Sequence, residues 1–210
     1  MQEPVGRVRL RVFHASPGTP PVEVTLDSSE VVGHLRYGQL SGYTELTPGR
    51  YRIRVFPAAA AQQGNELIDD RLERLGSRQD YTVAIVGEPQ DLRVVLLNDT
   101  VAAFTPGRAR VRVFHASPDA PALDVGLAGR PPLFEQVAFT EVTDFREVDA
   151  GYVNLELRRN AHPEVIASLP GYTLTGDHIY TLMVLGLVDD EPHITILPVV
   201  APARECLAVR

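Results

Sequence analysis

Lysine and tryptophan are absent from this chain of 210 residues, and cysteine occurs once. All twenty basic residues are therefore arginine. Without lysine no lysine-anchored pyridoxal phosphate can be held. The phosphate-binding Gly-Lys-Ser/Thr loop, the kinase lysine and the Ser-x-x-Lys acylation site are excluded too. The lone Cys206 rules out an intrachain disulfide and leaves the redox compartment open. A basic tail is also missing. The formal net charge is −7, with 11 Arg against 13 acids over residues 1–105 and 9 against 14 over 106–210. Such an acidic chain is a poor nucleic-acid binder. No run of about 20 apolar residues exists, so no membrane-spanning helix is expected. Met1 to Gly6 carries no basic segment followed by an apolar one, so no signal peptide is expected within this chain.

What the chain does have is a repeat. Leu-Arg-Val-Phe-His-Ala-Ser-Pro-Gly-Thr-Pro at 10–20 returns 101 residues later as Val-Arg-Val-Phe-His-Ala-Ser-Pro-Asp-Ala-Pro at 111–121. One small domain used twice gives that spacing. Apolar residues alternate with charged ones in several short runs, the period of a half-buried strand. Val8, Leu10 and Val12 alternate with Arg7, Arg9 and Arg11. Val111 and Val113 alternate with Arg110 and Arg112, and Tyr51, Ile53 and Val55 with Arg50, Arg52 and Arg54. Further strands are predicted over 21–26, 30–36, 39–46, 80–86 and 91–98, and over 121–127, 132–134, 136–147, 179–186 and 192–197. Turn signals such as Pro48-Gly49 and Gly87-Glu88-Pro89 separate them.

Asn65 to Leu75 has a helical pattern of leucines. Its counterpart in the repeat, 165–174, contains Pro170-Gly171, which breaks a helix, so both segments are read as extended. Residues 57–64 are read as a long loop and 102–108 as a short linker. The fold class is all-β, two tandem immunoglobulin-like antiparallel β-sandwich domains, 1–104 and 105–210, the second with a short C-terminal tail.

Phe13-His-Ala-Ser-Pro17 and Phe114-His-Ala-Ser-Pro-Asp-Ala-Pro-Ala-Leu-Asp-Val125 resemble the opening motif of domain-of-unknown-function family 4397. Pro48-Gly49-Arg50-Tyr51, Ala150-Gly151-Tyr152, Tyr81-Thr82-Val83 and Tyr180-Thr181-Leu182 fit its pattern as well. The resemblance implies a β-sandwich module of bacterial secreted, periplasmic or cell-surface proteins, often in tandem. It transfers no catalytic residue and no cofactor. The first repeat departs from the motif, with Gly18-Thr19 where the second has Asp119-Ala120 and Glu23 where it has Asp124.

His14 with Ser16 and His115 with Ser117 share a strand face and raise the thought of a nucleophile pair. The alternation puts them in line with the apolar row, so they are read as structural, a buried imidazole bonded to backbone beside a Ser-Pro turn. No Gly-x-Ser-x-Gly elbow is present. Asp119 with Asp124, and Asp189-Asp190-Glu191, offer oxygen ligands without the alternate spacing of a calcium loop, and the histidines lack zinc spacing. No metal and no cofactor is expected. The seven tyrosines are read as core residues with a wet hydroxyl and not as a sugar platform.

The arginine stripes are the strongest partner signal. If their strands are neighbours, Arg7, Arg9, Arg11, Arg50, Arg52 and Arg54 share one solvent face, suited to an anionic cell-envelope polymer or another envelope protein. The competing reading pairs them with acids such as Glu23 and Glu45 across strands. The resulting expectation is a noncatalytic envelope or secreted module, spacer or adhesion-type. The alternative is a hydrolase or metal-dependent enzyme using the His-Ala-Ser-Pro segments.

Overall fold

Short alternating runs closed by Pro, Gly and Asp turns become strands throughout the computed structural model, which describes residues 6–58, 64–101, 105–160, 162 and 164–201. Among these residues there is no helix. The chain divides into two compact units, Met1–Thr100 and Val101–Arg210. The central part of the 57–64 loop (59–63), residues 102–104 of the linker, and Cys206 with the C-terminal tail lie outside the described residues.

The first unit contains β1 (Val8–His14), β2 (Val22–Leu26), β3 (Ser29–Leu35), β4 (Thr44–Leu46), β5 (Arg52–Pro57), β6 (Ile68–Arg71), β7 (Asp80–Val86) and β8 (Arg93–Asn98). They form two four-stranded sheets, β4-β1-β7-β8 and β3-β2-β5-β6. The second unit contains β9 (Arg108–His115), β10 (Leu123–Leu127), β11 (Pro132–Val137), β12 (Arg146–Asp149), β13 (Gly151–Arg159), β14 (Val165–Leu174), β15 (Ile179–Leu185) and β16 (Thr195–Ala201). Its sheets, β12-β9-β15-β16 and β11-β10-β13-β14, repeat the same order.

Among the described residues the pairs of named strands are antiparallel except one in each unit. β1 runs parallel to β7, with Val12 opposite Val83, and β9 runs parallel to β15, with Val113 opposite Leu182. Parallel neighbours need a long crossover. Here the crossover passes through all four strands of the opposite sheet, β2, β3, β5 and β6 in the first unit, and this is what closes the sandwich.

The inward row of each strand builds the core. In the first unit Val8, Leu10 and Val12 meet Val22, Val24, Leu26, Ile53, Val55, Val83 and Ile85. In the second, Val111 and Val113 meet Leu123, Val125, Leu155, Leu157, Leu182 and Val184. Each such side chain stabilises its unit by roughly 1.5–3 kcal/mol relative to exposure. His14 and His115 continue the inward rows and are fully buried.

Asn65 to Leu75 is extended and holds β6; its counterpart is β14. Pro170 lies in β14, Gly171 takes φ 65, and the register against β13 shifts between Val153 and Leu155. The strand predicted over 136–147 is broken. Thr140 sits at φ 71 and gives its N–H to the His115 carbonyl at 2.8 Å, so the chain turns there and β12 starts only at Arg146. The first unit does the same at Gly38, φ 75, whose N–H reaches the His14 carbonyl at 2.8 Å. Both corners with a histidine are therefore closed from the side by a turn.

Candidate functional site

His14 and His115 are each held by backbone on both ring nitrogens. His14 Nδ1 accepts the Ser16 N–H at 3.3 Å, and Nε2 lies 3.2 Å from the Pro20 carbonyl. His115 repeats this with Ser117 N–H at 3.3 Å and the Pro121 carbonyl at 3.2 Å. Only the neutral ring with its proton on Nε2 satisfies both contacts. Burial holds both imidazoles below the ordinary 6.5, against a smaller upward pull from the Pro20 and Pro121 carbonyls.

The serine hydroxyls point elsewhere. Ser16 Oγ donates to the Gly87 carbonyl at 2.6 Å and meets Thr19 Oγ1 at 2.6 Å. Ser117 Oγ donates to Asp119 Oδ1 at 3.2 Å. Asp119 Oδ2 in turn accepts the Val188 N–H at 2.8 Å. The imidazole thus faces the serine's backbone N–H and not its hydroxyl, so the geometry of a general base on a nucleophile does not form. The corner ties the end of the first strand to the turn after β7 or β15. Asp124 accepts the Gln136 N–H at 2.9 Å, and Asp190 accepts the Glu191 N–H at 2.7 Å. Among the described residues no three His, Cys, Asp or Glu side chains are grouped to hold a metal ion.

The six arginines do not share a face. Arg7, Arg9 and Arg11 belong to β1 or its approach, and Arg50, Arg52 and Arg54 to β5 or its approach; these strands lie in opposite sheets of the sandwich. The alternation gave the side of the strand correctly but could not say which strands are neighbours. Nor is the β1 row a solvent stripe. Arg7 is exposed and pairs with Glu45 at 3.0 Å. Arg9 makes two bonds to the Asp80 carboxylate. Arg11 is only 5% exposed. It donates to Thr82 Oγ1 at 2.9 Å, lies 4.7 Å from the Tyr43 ring centre, and reaches Asp99 at 3.5 Å. Asp99 also accepts from Thr82 Oγ1 at 2.6 Å and Tyr43 Oη at 3.3 Å.

The β5 row behaves differently. Arg52 grips Asp69 of β6 with two bonds, and Arg54 donates to the Asp27 carbonyl at 2.7 Å. The guanidinium beside it holds the Asp69 carboxyl below its usual range. Arg50 is exposed and has no acid partner among the described residues. It opens onto a cleft of about 670 Å3 lined by Asp27, Arg50, Tyr51, Arg52, Arg71, Leu72, Glu73 and Arg74. Arg71 and Arg74 join Arg50 only through the fold; no spacing in the sequence marks them.

The second unit has a cleft at the equivalent place, about 470 Å3, with Tyr152, Asn154, Arg108, Asp149 and Arg130 among its lining. The pairing of Leu26 with Ile53 and of Leu127 with Leu155 sets Arg52 against Asn154 and Arg50 against Tyr152. Tyr152 is 83% exposed, which corrects its reading as a core residue. It stands on the outward row of β13, where only solvent covers it. Tyr81 and Tyr180 are core residues, their hydroxyls accepting the Gly76 N–H at 3.0 Å and the Thr175 N–H at 2.9 Å.

Two solved structures resemble the chain distantly. A streptococcal virulence factor that binds alpha-glucan shares 15% identity over 89% of this chain and 95% of that chain, with a TM-score of 0.26. CBMbc (family CBM26) from Eubacterium rectale Amy13K, in complex with maltoheptaose, shares 11% over 94% and 98%, with a TM-score of 0.25. At scores this low nothing about a ligand of this chain follows from them. No curated protein matches the chain. The model of one family matches residues 8–126, which takes in the His-Ala-Ser-Pro corner of both units and more than half of the sequence. The chain belongs to that family, Domain of unknown function (DUF4397).

Proposed function

We propose that this protein is a noncatalytic binding module of the bacterial cell envelope or surroundings, spacer or adhesion-type, whose partner is an anionic envelope polymer or another envelope protein. One observation carries the reading. The polar groups repeated in both units, His14 and Ser16, His115 and Ser117, spend their hydrogen bonds inside the sandwich, while Arg50, Arg71 and Arg74 stand exposed outside it with no ion pair to any described residue. A group that must act on a substrate needs a free lone pair or proton within reach of it. The imidazoles have neither.

The test has two arms. Purified protein is assayed against envelope polymers and, in parallel, against broad esterase and phosphatase substrates with its metal content measured. Binding without turnover is the expected result. Turnover that disappears in both His14→Ala and His115→Ala, with folding intact, overturns the reading in favour of an enzyme. Cell fractionation checks location: protein confined to the cytosol removes the envelope from the proposal.

A further inference from the structure

We propose that the cleft between β5 and the segment after β6 is a binding site for a carboxylate-bearing polysaccharide. This inference rests on the binding-module reading above and gives it a site and a ligand chemistry. Four guanidinium groups, Arg50, Arg52, Arg71 and Arg74, line the cleft, against the carboxylates of Asp27 and Glu73. Asp27 Oδ1 is already engaged by the Arg52 N–H at 3.0 Å. Arg50, Arg71 and Arg74 are exposed and carry no ion pair with any described residue. Three unpaired cations around one concavity, in a chain of net charge −7, are a local reversal of sign. Focusing of the field by the concave wall draws anions there.

The fold already displays the recognition geometry. Arg52 holds the Asp69 carboxylate through Nε at 2.6 Å and through Nη2, the two-pronged match of guanidinium to carboxylate. Arg50, Arg71 and Arg74 offer the same fork with no partner filling it. Between them Tyr51 and Leu72 give the cleft an apolar wall. The Tyr51 hydroxyl is fixed by donating to the Thr47 carbonyl at 2.7 Å, so its ring is held in place. An apolar wall beside carboxylate-matching forks suits a chain of sugar rings carrying acid groups. A bare row of phosphates would leave that wall unused. Arg50, Arg71 and Arg74 are exposed at its rim and Tyr51 is half-buried, so a ligand reaches the arginines without rearrangement of the sandwich.

The experiment uses the full chain and polygalacturonate as probe, by calorimetry at several salt concentrations, with neutral dextran and inorganic polyphosphate alongside. Expected is salt-sensitive binding of polygalacturonate and none of dextran. The triple variant Arg50→Ala/Arg71→Ala/Arg74→Ala should weaken it by about 10-fold or more, a loss of about 1.4 kcal/mol. Arg36→Ala is the control. Arg36 is exposed beyond the end of β3, away from the cleft, and its removal should change affinity less than about twofold. All three cleft arginines are exposed, and circular dichroism checks that the triple variant folds.

Binding retained by the triple variant, or lost equally in Arg36→Ala, overturns the cleft and leaves the module reading standing. Tighter binding of polyphosphate with the same dependence on the arginines overturns the carboxylate assignment. No binding to polygalacturonate overturns the site; no binding to any envelope polymer overturns the module reading as well.

Discussion

The two units share strand order, register and a buried histidine corner, yet they solve three local problems with different residues. On the outer row of the first strand, Arg9 and Arg11 face Asp80 and Asp99 in the first unit. The register places Ile179 and Ala201 at those acid positions in the second unit, with Ile179 opposite Arg110 and Ala201 opposite Ile179. There Arg112 donates to Thr181 at 3.0 Å and lies 4.5 Å from the Phe145 ring centre, while Arg110 turns to Glu147 at 3.1 Å. At the corner, Ser16 uses Thr19 and the Gly87 carbonyl, whereas Ser117 uses Asp119 as a bridge to Val188. In the clefts, Arg50 and Arg52 stand where Tyr152 and Asn154 stand. What is retained is the geometry of the frame; what varies is the charge hung on it. A sandwich frame tolerates that because its stability comes from the inward rows.

The largest test of this contrast is Asp99→Ala. It removes the acceptor shared by Arg11, Thr82 and Tyr43 in a site where the Asp99 side chain is 2% exposed. Breaking a buried charged network from one side costs about 3–5 kcal/mol. Urea unfolding should show that loss, and a change below about 1 kcal/mol breaks the reading of Asp99 as the acceptor that compensates the buried Arg11.

The next test asks whether the corners behave alike. Both imidazoles have folded values depressed below 6.5 by burial, so the unfolded chain binds protons more readily than the native one. Stability is then fully present above about pH 6.5 and is lost as pH falls through the lower folded values. The slope is at most about 1.4 kcal/mol per pH unit for each histidine. Unfolding measured from pH 7.5 to 5 should show it. His14→Asn with His115→Asn should lower overall stability and flatten the slope; an unchanged slope assigns the effect to other groups.

Asp119→Gly gives the second corner the first unit's residue. It removes the acceptor for Ser117 and for the Val188 N–H, an expected cost of about 1–2 kcal/mol. Hydrogen exchange should speed up at Val188, and an undisturbed Val188 amide breaks the bridge. The smallest effect belongs to Arg7→Ala. Arg7 and Glu45 are 72% and 57% exposed, so their pair contributes under about 1 kcal/mol, and a larger loss in thermal unfolding would show that exposure misjudges it.

Much of the frame was legible because a strand's period is local. Val8, Leu10, Val12 and His14 form one row whatever surrounds them, and the Pro170-Gly171 break in one repeat kept the 65–75 segment out of a helix. Tyr152 was misread because a tyrosine at a strand end has the same sequence signature whether it turns inward or outward. Arg71 and Arg74 carried no signal at all: they join Arg50 across a β5–β6 connection that no residue pattern marks. The partnership of Arg11 with Asp99 spans 88 residues.

Alternation and the internal copy were enough to establish an all-β sandwich built twice over, and to set His14 and His115 on the inward row. Periodicity describes a side chain relative to its own strand. Whether an outward arginine meets water, an acid or an aromatic ring depends on which strands lie beside it and what covers the sheet. Those neighbours come from crossovers through the opposite sheet. The folded chain alone buried Arg11, split the six arginines between two sheets, and set Arg50, Arg71 and Arg74 around one cleft with no ion pair to any described residue.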